Sequence, residues 1–261
     1  MDSRTHQTVH EIRDGQQYIV GDVGDVLPSL NSAADIIYLD DAWARPQRAD
    51  WYGVEYDTHD FTPDDDPEYN GITTTEILDL CEETLVDGGW LIADADDWLL
   101  PRLINYIREE WGDVAASYKG GGYRRIGGVT FVSKSGNPDR STPGMYLSNG
   151  GYPVVFAHKG ETDKKTSVSA RQLAQQASFD GDWGSVKPIK PYRKWLDGLM
   201  NEGGHLVVPC AGTAPAAIAA EQLFGDDIQY TCIDNEPQAL EMFQRRREKT
   251  NQTDQGFSSF K

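Results

Sequence analysis

Two stretches of the chain carry residue types that could do chemistry, and both close a short apolar run. In Asp35-Ile36-Ile37-Tyr38-Leu39-Asp40-Asp41-Ala42-Trp43 a buried strand delivers an acid and, three residues on, an aromatic ring. A carboxylate accepts hydrogen bonds from an amino group while a ring stacks on a planar heterocycle, so Asp40 and Trp43 suit a flat, amino-bearing substrate. In His205-Leu206-Val207-Val208-Pro209-Cys210-Ala211-Gly212-Thr213-Ala214-Pro215-Ala216 a strand feeds a turn of small residues that opens a helix. Small residues let the backbone approach a ligand, and a helix N-terminus offers free N–H groups. Asp234 ends the next strand, about 20 residues after the glycine turn, the position from which an acid accepts from both hydroxyls of a ribose. Turn and acid together indicate an adenosine-containing cofactor; the alternative role for Asp234 is to cap the helix that starts at Pro237.

The elements that must position these groups alternate along the chain. Apolar runs at Tyr18 to Val20, Ile36 to Leu39, Trp90 to Ala93, Val129 to Val132, Val154 to Ala157, Leu206 to Val208 and Tyr230 to Ile233 predict seven buried strands. Helical periodicity falls at Thr75 to Val86, Trp98 to Trp111, Ala170 to Ala177, Tyr192 to Met200, Pro215 to Phe224 and Pro237 to Arg247. The alternation predicts an α/β fold with a doubly wound, mostly parallel sheet, and the consecutive strands near Val129 and Val154 predict one antiparallel hairpin at an edge. Ligands of such sheets bind outside the carboxyl ends of the strands, which would turn Asp40 and Trp43 toward a cleft. The acidic, Pro-containing run Asp57 to Asn70 reads as a loop over that cleft, and Gly120-Gly121-Gly122-Tyr123-Arg124-Arg125 as a mobile basic loop beside it.

The chain has 261 residues and a net charge of −18, which taken alone argues against a polyanionic partner. The distribution is uneven, however. Arg102 to Lys194 holds 15 Lys and Arg against 8 Asp and Glu, or +7, inside a chain whose remainder is strongly acidic. A basic middle in an acidic shell is a footprint for nucleic acid, or simply two differently solvated faces. So acidic a surface also suits concentrated salt, and predicts a halophilic archaeon or its virus as source. Cys81, Cys210 and Cys232 form no C-x-x-C pair, so neither a disulfide framework nor a zinc site is expected, and a reducing cytoplasm fits (host cytoplasm, if viral). Met1 to His6 lacks the apolar core of a signal peptide, and no apolar run is long enough to span a membrane.

Taken in order, Asp40-Asp41-Ala42-Trp43, the basic middle, Lys190-Pro191 and the turn from Pro209 to Ala216 resemble the circularly permuted, beta-type amino DNA methyltransferases. The resemblance spans roughly Gln17 to Arg246. It implies a Rossmann-like methyltransferase fold, S-adenosylmethionine as cofactor, double-stranded DNA as partner, and a single domain over 1–249. That domain would carry a target-recognition insertion at about 158–187 and be followed by a flexible tail, 250–261. It further implies that Asp22, in Gly21-Asp22-Val23-Gly24-Asp25-Val26-Leu27, contacts the adenine of the cofactor. Lys190 and Pro191 would precede a helix that holds its methionine end. Pro209, Ala211, Gly212 and Thr213 would form the cofactor turn, with Asp234 the ribose acid. Leu85 to Ile92 resembles the helix, Gly turn and strand that follow the catalytic motif.

The chain departs from the family at two places. The two prolines usual in the tetrad are Asp41 and Ala42 here, and in the turn Val208 and Cys210 replace an acid and an aromatic. The main-chain carbonyl of Asp41 survives as an acceptor. Loss of each proline adds about 0.4–1 kcal/mol of loop entropy, which slows the chemistry rather than abolishing it.

The expectation is therefore a flipped base, adenine N6 in preference to cytosine N4, whose amino group donates to Asp40 and to the Asp41 carbonyl while Trp43 stacks on the ring. No metal is needed. Lys159, Lys164, Lys165, Arg171, Arg124 and Arg125 would meet phosphates, and so short a recognition stretch implies a short target or a partner subunit such as a second copy. A restriction partner and solitary modification both stay open. Two rivals remain: an inactive DNA-binding relative, and Mg²⁺-dependent phosphoryl transfer on Asp40, Asp41, Asp94, Asp96 and Asp97, of which the last three equally suit helix capping.

Overall fold

The computed structural model describes residues 7–40, 60–63, 71–114, 119–137, 150–177 and 186–258. Asp41, Ala42 and Trp43 lie outside them, as do Asp57 to His59 and Asp64 to Asn70 of the acidic run.

The described elements run β1 (Thr8–Arg13), β2 (Gln16–Val20), α1 (Val23–Val26), β3 (Ala34–Leu39), α2 (Thr74–Thr84), β4 (Leu85–Asp94) and α3 (Leu99–Glu110). They continue with β5 (Gly122–Phe131), β6 (Gly151–His158), β7 (Arg171–Ala174), α4 (Ile189–Leu199), β8 (His205–Val208), α5 (Pro215–Phe224), β9 (Gln229–Asp234) and α6 (Pro237–Ser258). The strands form one mixed sheet in the order β1-β2-β9-β8-β3-β4-β6-β5-β7. From β2 across to β4 neighbouring strands are parallel, whereas β6 runs antiparallel to both β4 and β5.

Alternation along each strand builds the layers. Ile36, Tyr38, Leu206, Val208, Tyr230 and Cys232 face a core shared with α4, α5 and α6, where Tyr192, Trp195, Ala217 and Phe243 are buried. Their neighbours Ile37, Leu39, Val207 and Ile233 face a second core with α1, α2 and α3 through Val26, Ile77, Leu103 and Ile107. A sheet covered on both faces by helices is the doubly wound arrangement the alternation predicts.

Nine strands are present among the described residues where the apolar runs predict seven. β1 escapes notice because Thr-Val-His-Glu-Ile-Arg is an exposed, polar edge strand without an apolar run. Asp14-Gly15, with Gly15 at φ +72°, turns it back onto β2.

β7 stands where the periodicity of Ala170 to Ala177 predicts a helix. The edge of β5 supplies backbone partners that override local helix preference: Gly128 N–H donates to the Ala170 carbonyl at 3.0 Å and Val132 N–H to that of Ala174 at 2.9 Å. Gly127 makes the approach feasible, since a Cβ there would sit 2.1 Å from the Ala170 oxygen. The expected antiparallel hairpin exists as β5 and β6, but in the interior of the sheet, because β6 inserts beside β4 and β7 covers β5. For the same reason Gly122 to Arg125 belong to β5 and not to a loop. Helix α6 also runs well past Arg247, to Ser258.

From β8 the chain crosses through α5 to β9 on one side, whereas from β3 it reaches β4, through α2, on the other. The carboxyl ends of β8 and β3 therefore flank the point where strand order reverses, where open α/β sheets hold their ligands.

Candidate functional site

After β8 the backbone takes left-handed φ at alternate residues, Cys210 (54°), Gly212 (49°) and Ala214 (41°). Two of these carry a Cβ, at about 1–2 kcal/mol each, strain that persists only where neighbours enforce it. Asp234 is one such neighbour: its Oδ2 accepts from Gly212 N–H at 2.7 Å and its Oδ1 from Glu236 N–H at 3.0 Å. Tyr18 OH donates to the Gly212 carbonyl at 2.9 Å, and Ala211 N–H donates to the Ile233 carbonyl at 2.8 Å. Pro215 then opens α5, where its missing N–H is no loss.

A carboxylate has about four acceptor positions, so among the described residues Asp234 keeps two beyond the bonds that hold the turn. Burial pushes its pKa up to about 6. The first turn of α6 is supported by Glu236, whose Oε1 accepts from Gln238 N–H at 3.2 Å, which leaves the cap role to Glu236. Asp22 stands beside this corner because Val20 pairs with Asp234; there it caps α1, accepting from Gly24 N–H at 2.7 Å. Asp22, Pro209, Ala211, Gly212, Thr213 and Asp234 are thus brought together at one corner of the sheet.

Asp40 ends β3 across the switch point. Its Oδ1 accepts from Lys187 Nζ at 3.1 Å, and the same ammonium lies 3.2 Å from Asp94 Oδ2 at the end of β4. Asp94 also accepts from Tyr38 OH at 2.8 Å and Tyr192 OH at 2.6 Å, and Tyr192 is joined to Tyr152 at 2.6 Å. Its Oδ1 is buried without a hydrogen-bond partner among the described residues. Desolvation raises the Asp94 pKa to about 6 against the opposing pull of Lys187. Burial works to lower the Lys187 pKa, but the two carboxylates outweigh it and hold the amine protonated. Burial raises Tyr38, Tyr152 and Tyr192 far above the usual range, so all three are neutral.

Arg246 on α6, 6% exposed, ties the two halves together. It donates to Thr213 Oγ1 at 2.6 Å and to the main-chain carbonyl of Lys187.

Sequence reasoning misses Lys187, Arg246 and the tyrosines at this site, and it offers Asp94 only as a metal ligand or a cap. Lys187-Pro188 repeats the Lys-Pro pair three residues before Lys190-Pro191, and that repeat is the available signal. Pro191 is buried, but Lys190 is exposed and lines a groove of about 680 Å³ with Lys134, Ala174, Pro188 and Lys249.

The other cationic candidates lie away from Asp40. Lys159 donates to the Leu85 carbonyl at the start of β4, and Lys164 to Asn201 beyond the end of α4. Arg124, Arg125 and Lys165 line a pocket of about 290 Å³ against Trp195 and Leu199 in the C-terminal half of α4. Arg171 is exposed at the start of β7. Asp96 caps α3 through Trp98 and Leu99 N–H at 2.9 and 2.7 Å, and no group of three His, Cys, Asp or Glu among the described residues is placed to hold a metal.

Solved structures share this fold. The PvuII DNA methyltransferase, cytosine-N4-specific, aligns over 89% of this chain and 93% of its own, with a TM-score of 0.57 and 11% identity. The chain shares its fold with DNA methyltransferases. M1.HpyAVI in complex with SAM matches over 87% of this chain and 95% of its own, at TM-score 0.54 and 10% identity. TTHA0409 from Thermus thermophilus, complexed with S-adenosyl-L-methionine, matches over 89% and 92% at TM-score 0.55 and 14% identity. No family model matches the chain, and no curated protein matches it. No helix among the described residues is long and apolar enough to cross a membrane.

Proposed function

We propose that the protein is an S-adenosylmethionine-dependent DNA methyltransferase that acts on the exocyclic amino group of a flipped base, with adenine N6 preferred over cytosine N4. The observation that carries the reading is the meeting of two groups at the switch point: the Asp234-braced turn after β8, and Asp40 at the end of the adjacent β3. The order of these parts along the chain supports a circularly permuted member of the amino methyltransferases. The methyltransferase fold of the PvuII enzyme supports the same class.

The residues present fit the cofactor. The small-residue turn gives close backbone access, and Asp234 has two acceptor positions left for ribose hydroxyls. Asp22, one strand further along the same edge, would contact the adenine, a reading supported by the pairing of β2 with β9. When bound, S-adenosylmethionine supplies an electrophilic methyl group on a sulfonium. Asp40 accepts one amino hydrogen of the base and so aims the nitrogen lone pair into the cleft; most of the rate then comes from positioning. The Asp41 carbonyl and the Trp43 ring complete this site in our reading; both lie outside the described residues.

DNA must approach the edge of the sheet that carries Asp40. We therefore place phosphates on Lys134 and Lys190, in the groove at the N-terminal end of α4. Arg124, Arg125 and Lys165 sit near Leu199, about 15 Å along α4 at 1.5 Å per residue.

S-adenosylmethionine should raise Tm whereas Mg²⁺ alone should not. Double-stranded DNA incubated with protein and cofactor, digested and read by mass spectrometry, should contain N6-methyladenine. N4-methylcytosine alone would reassign the base. A Tm response to Mg²⁺ but not to the cofactor would remove the methyltransferase reading, and cofactor binding with no methylated base on diverse DNA in high salt would leave a binding module.

A further inference from the structure

Lys187 precedes α4, on no strand end, yet its ammonium occupies the middle of the cleft. It bonds Asp40 Oδ1 and Asp94 Oδ2 and lies 4.3 Å above the Tyr152 ring, so all three of its donors have acceptors. The backbone beneath it is fixed by Arg246. Asp94 in turn is anchored by Tyr38 and Tyr192, with its side chain fully buried. So much desolvation would contribute little to fold stability alone, because an apolar pair of similar volume usually does as well. A lysine serving only Asp94 would also have no reason to reach Asp40.

We propose that Lys187 is a positioning residue that holds Asp40 as a fixed acceptor through Oδ1 and leaves its Oδ2 to take the amino hydrogen of the base. The inference rests on the reading of Asp40 given above. The bond to Oδ1 restricts rotation of that carboxylate, so its Oδ2 is presented in one orientation. The charged and titratable groups around the ammonium are Asp40, Asp94, Tyr38, Tyr152, Tyr192 and Arg246. The tyrosines are neutral, so the balance is two carboxylates against Lys187 and Arg246.

The test uses the full chain with Lys187→Met, Lys187→Arg and the double variant Lys187→Met with Asp94→Asn. The double variant removes both halves of the buried pair and leaves no lone charge behind. Methylation is measured at pH 7, and the Asp40 carboxyl resonance is recorded by carbon NMR in wild type and variants. Lys187→Met, or the double variant if the single one does not fold, should lower kcat at least tenfold at pH 7 with KM for S-adenosylmethionine within threefold. The Asp40 carboxyl resonance should shift or broaden as the carboxylate loses its fixed orientation, and Lys187→Arg should restore most of the rate.

A folded variant with wild-type kcat and an unchanged Asp40 resonance overturns the proposal. If the wild type transfers no methyl group, it is the function of the protein that fails, and the Asp40 resonance alone then decides for or against Lys187.

Discussion

Asp234 Oδ2 and the Gly212 amide are joined at 2.7 Å, so the acid that ends β9 braces the turn that follows β8. In the proposed function the same carboxylate both braces the turn and accepts from the ribose, so its ionisation would affect both.

Burial raises Asp234 to about 6, so in the free protein its charged form is the disfavoured one. Its contribution to folding stability is full below the unfolded value of about 3.9 and is lost as pH rises through 6. Ribose hydroxyls are donors and need the charged form, so binding has the opposite sign. S-adenosylmethionine affinity should be full above pH 6 and weaken by up to tenfold per unit below it. Calorimetric titration between pH 5 and 8 checks this, and Asp234→Asn should bind weakly with a nearly flat profile.

Asp40→Ala should lower methyl transfer by at least a hundredfold and leave the dissociation constant of S-adenosylmethionine within about threefold. The carboxylate is assigned to the base and not to the cofactor. Filter-bound radiolabel and equilibrium binding on the same preparation separate the two. Equal loss of both would move Asp40 to the cofactor.

Arg246→Met should leave the Thr213 hydroxyl and the Lys187 carbonyl short of a donor inside the protein. At about 1–3 kcal/mol for each of the two orphaned groups, stability should fall by about 2–6 kcal/mol, or roughly 4–24 °C in Tm. Arg246→Lys should recover little, because a single ammonium does not reproduce the guanidinium fork that spans both acceptors. Differential scanning calorimetry reads both variants.

Lys134→Ala and Lys190→Ala should each reduce the slope of log affinity against log salt by up to about 0.9. Lys164→Ala and Arg125→Ala should leave it unchanged. Fluorescence anisotropy with a duplex over a salt series measures all four, and the reverse pattern would move the DNA path to the C-terminal end of α4.

Gly122→Ala should cost about 3 kcal/mol or more, since φ is +105° and a Cβ would sit 1.9 Å from the Gly112 carbonyl oxygen. Gly136 has φ +81° but open space around it, so Gly136→Ala isolates the backbone strain, about 1 kcal/mol. Urea denaturation compares the two.

By itself the sequence determined what is written in short spacings. The run from His205 to Ala216 had to be strand, turn and helix because three apolar residues, a small-residue turn and a proline at a helix start allow little else. Asp234 and Asp40 were legible because each closes an apolar run. The rest depended on pairings between distant segments, to which local periodicity is blind. Ala170 to Ala177 reads as helix until the backbone of β5 claims it, and Arg124 reads as a loop residue until β6 places it in a strand. Lys187 and Lys190 are equivalent as Lys-Pro pairs. Only the packing of α4 against the sheet, with Tyr192 and Trp195 buried, turns one lysine onto Asp40 and Asp94 and leaves the other to solvent.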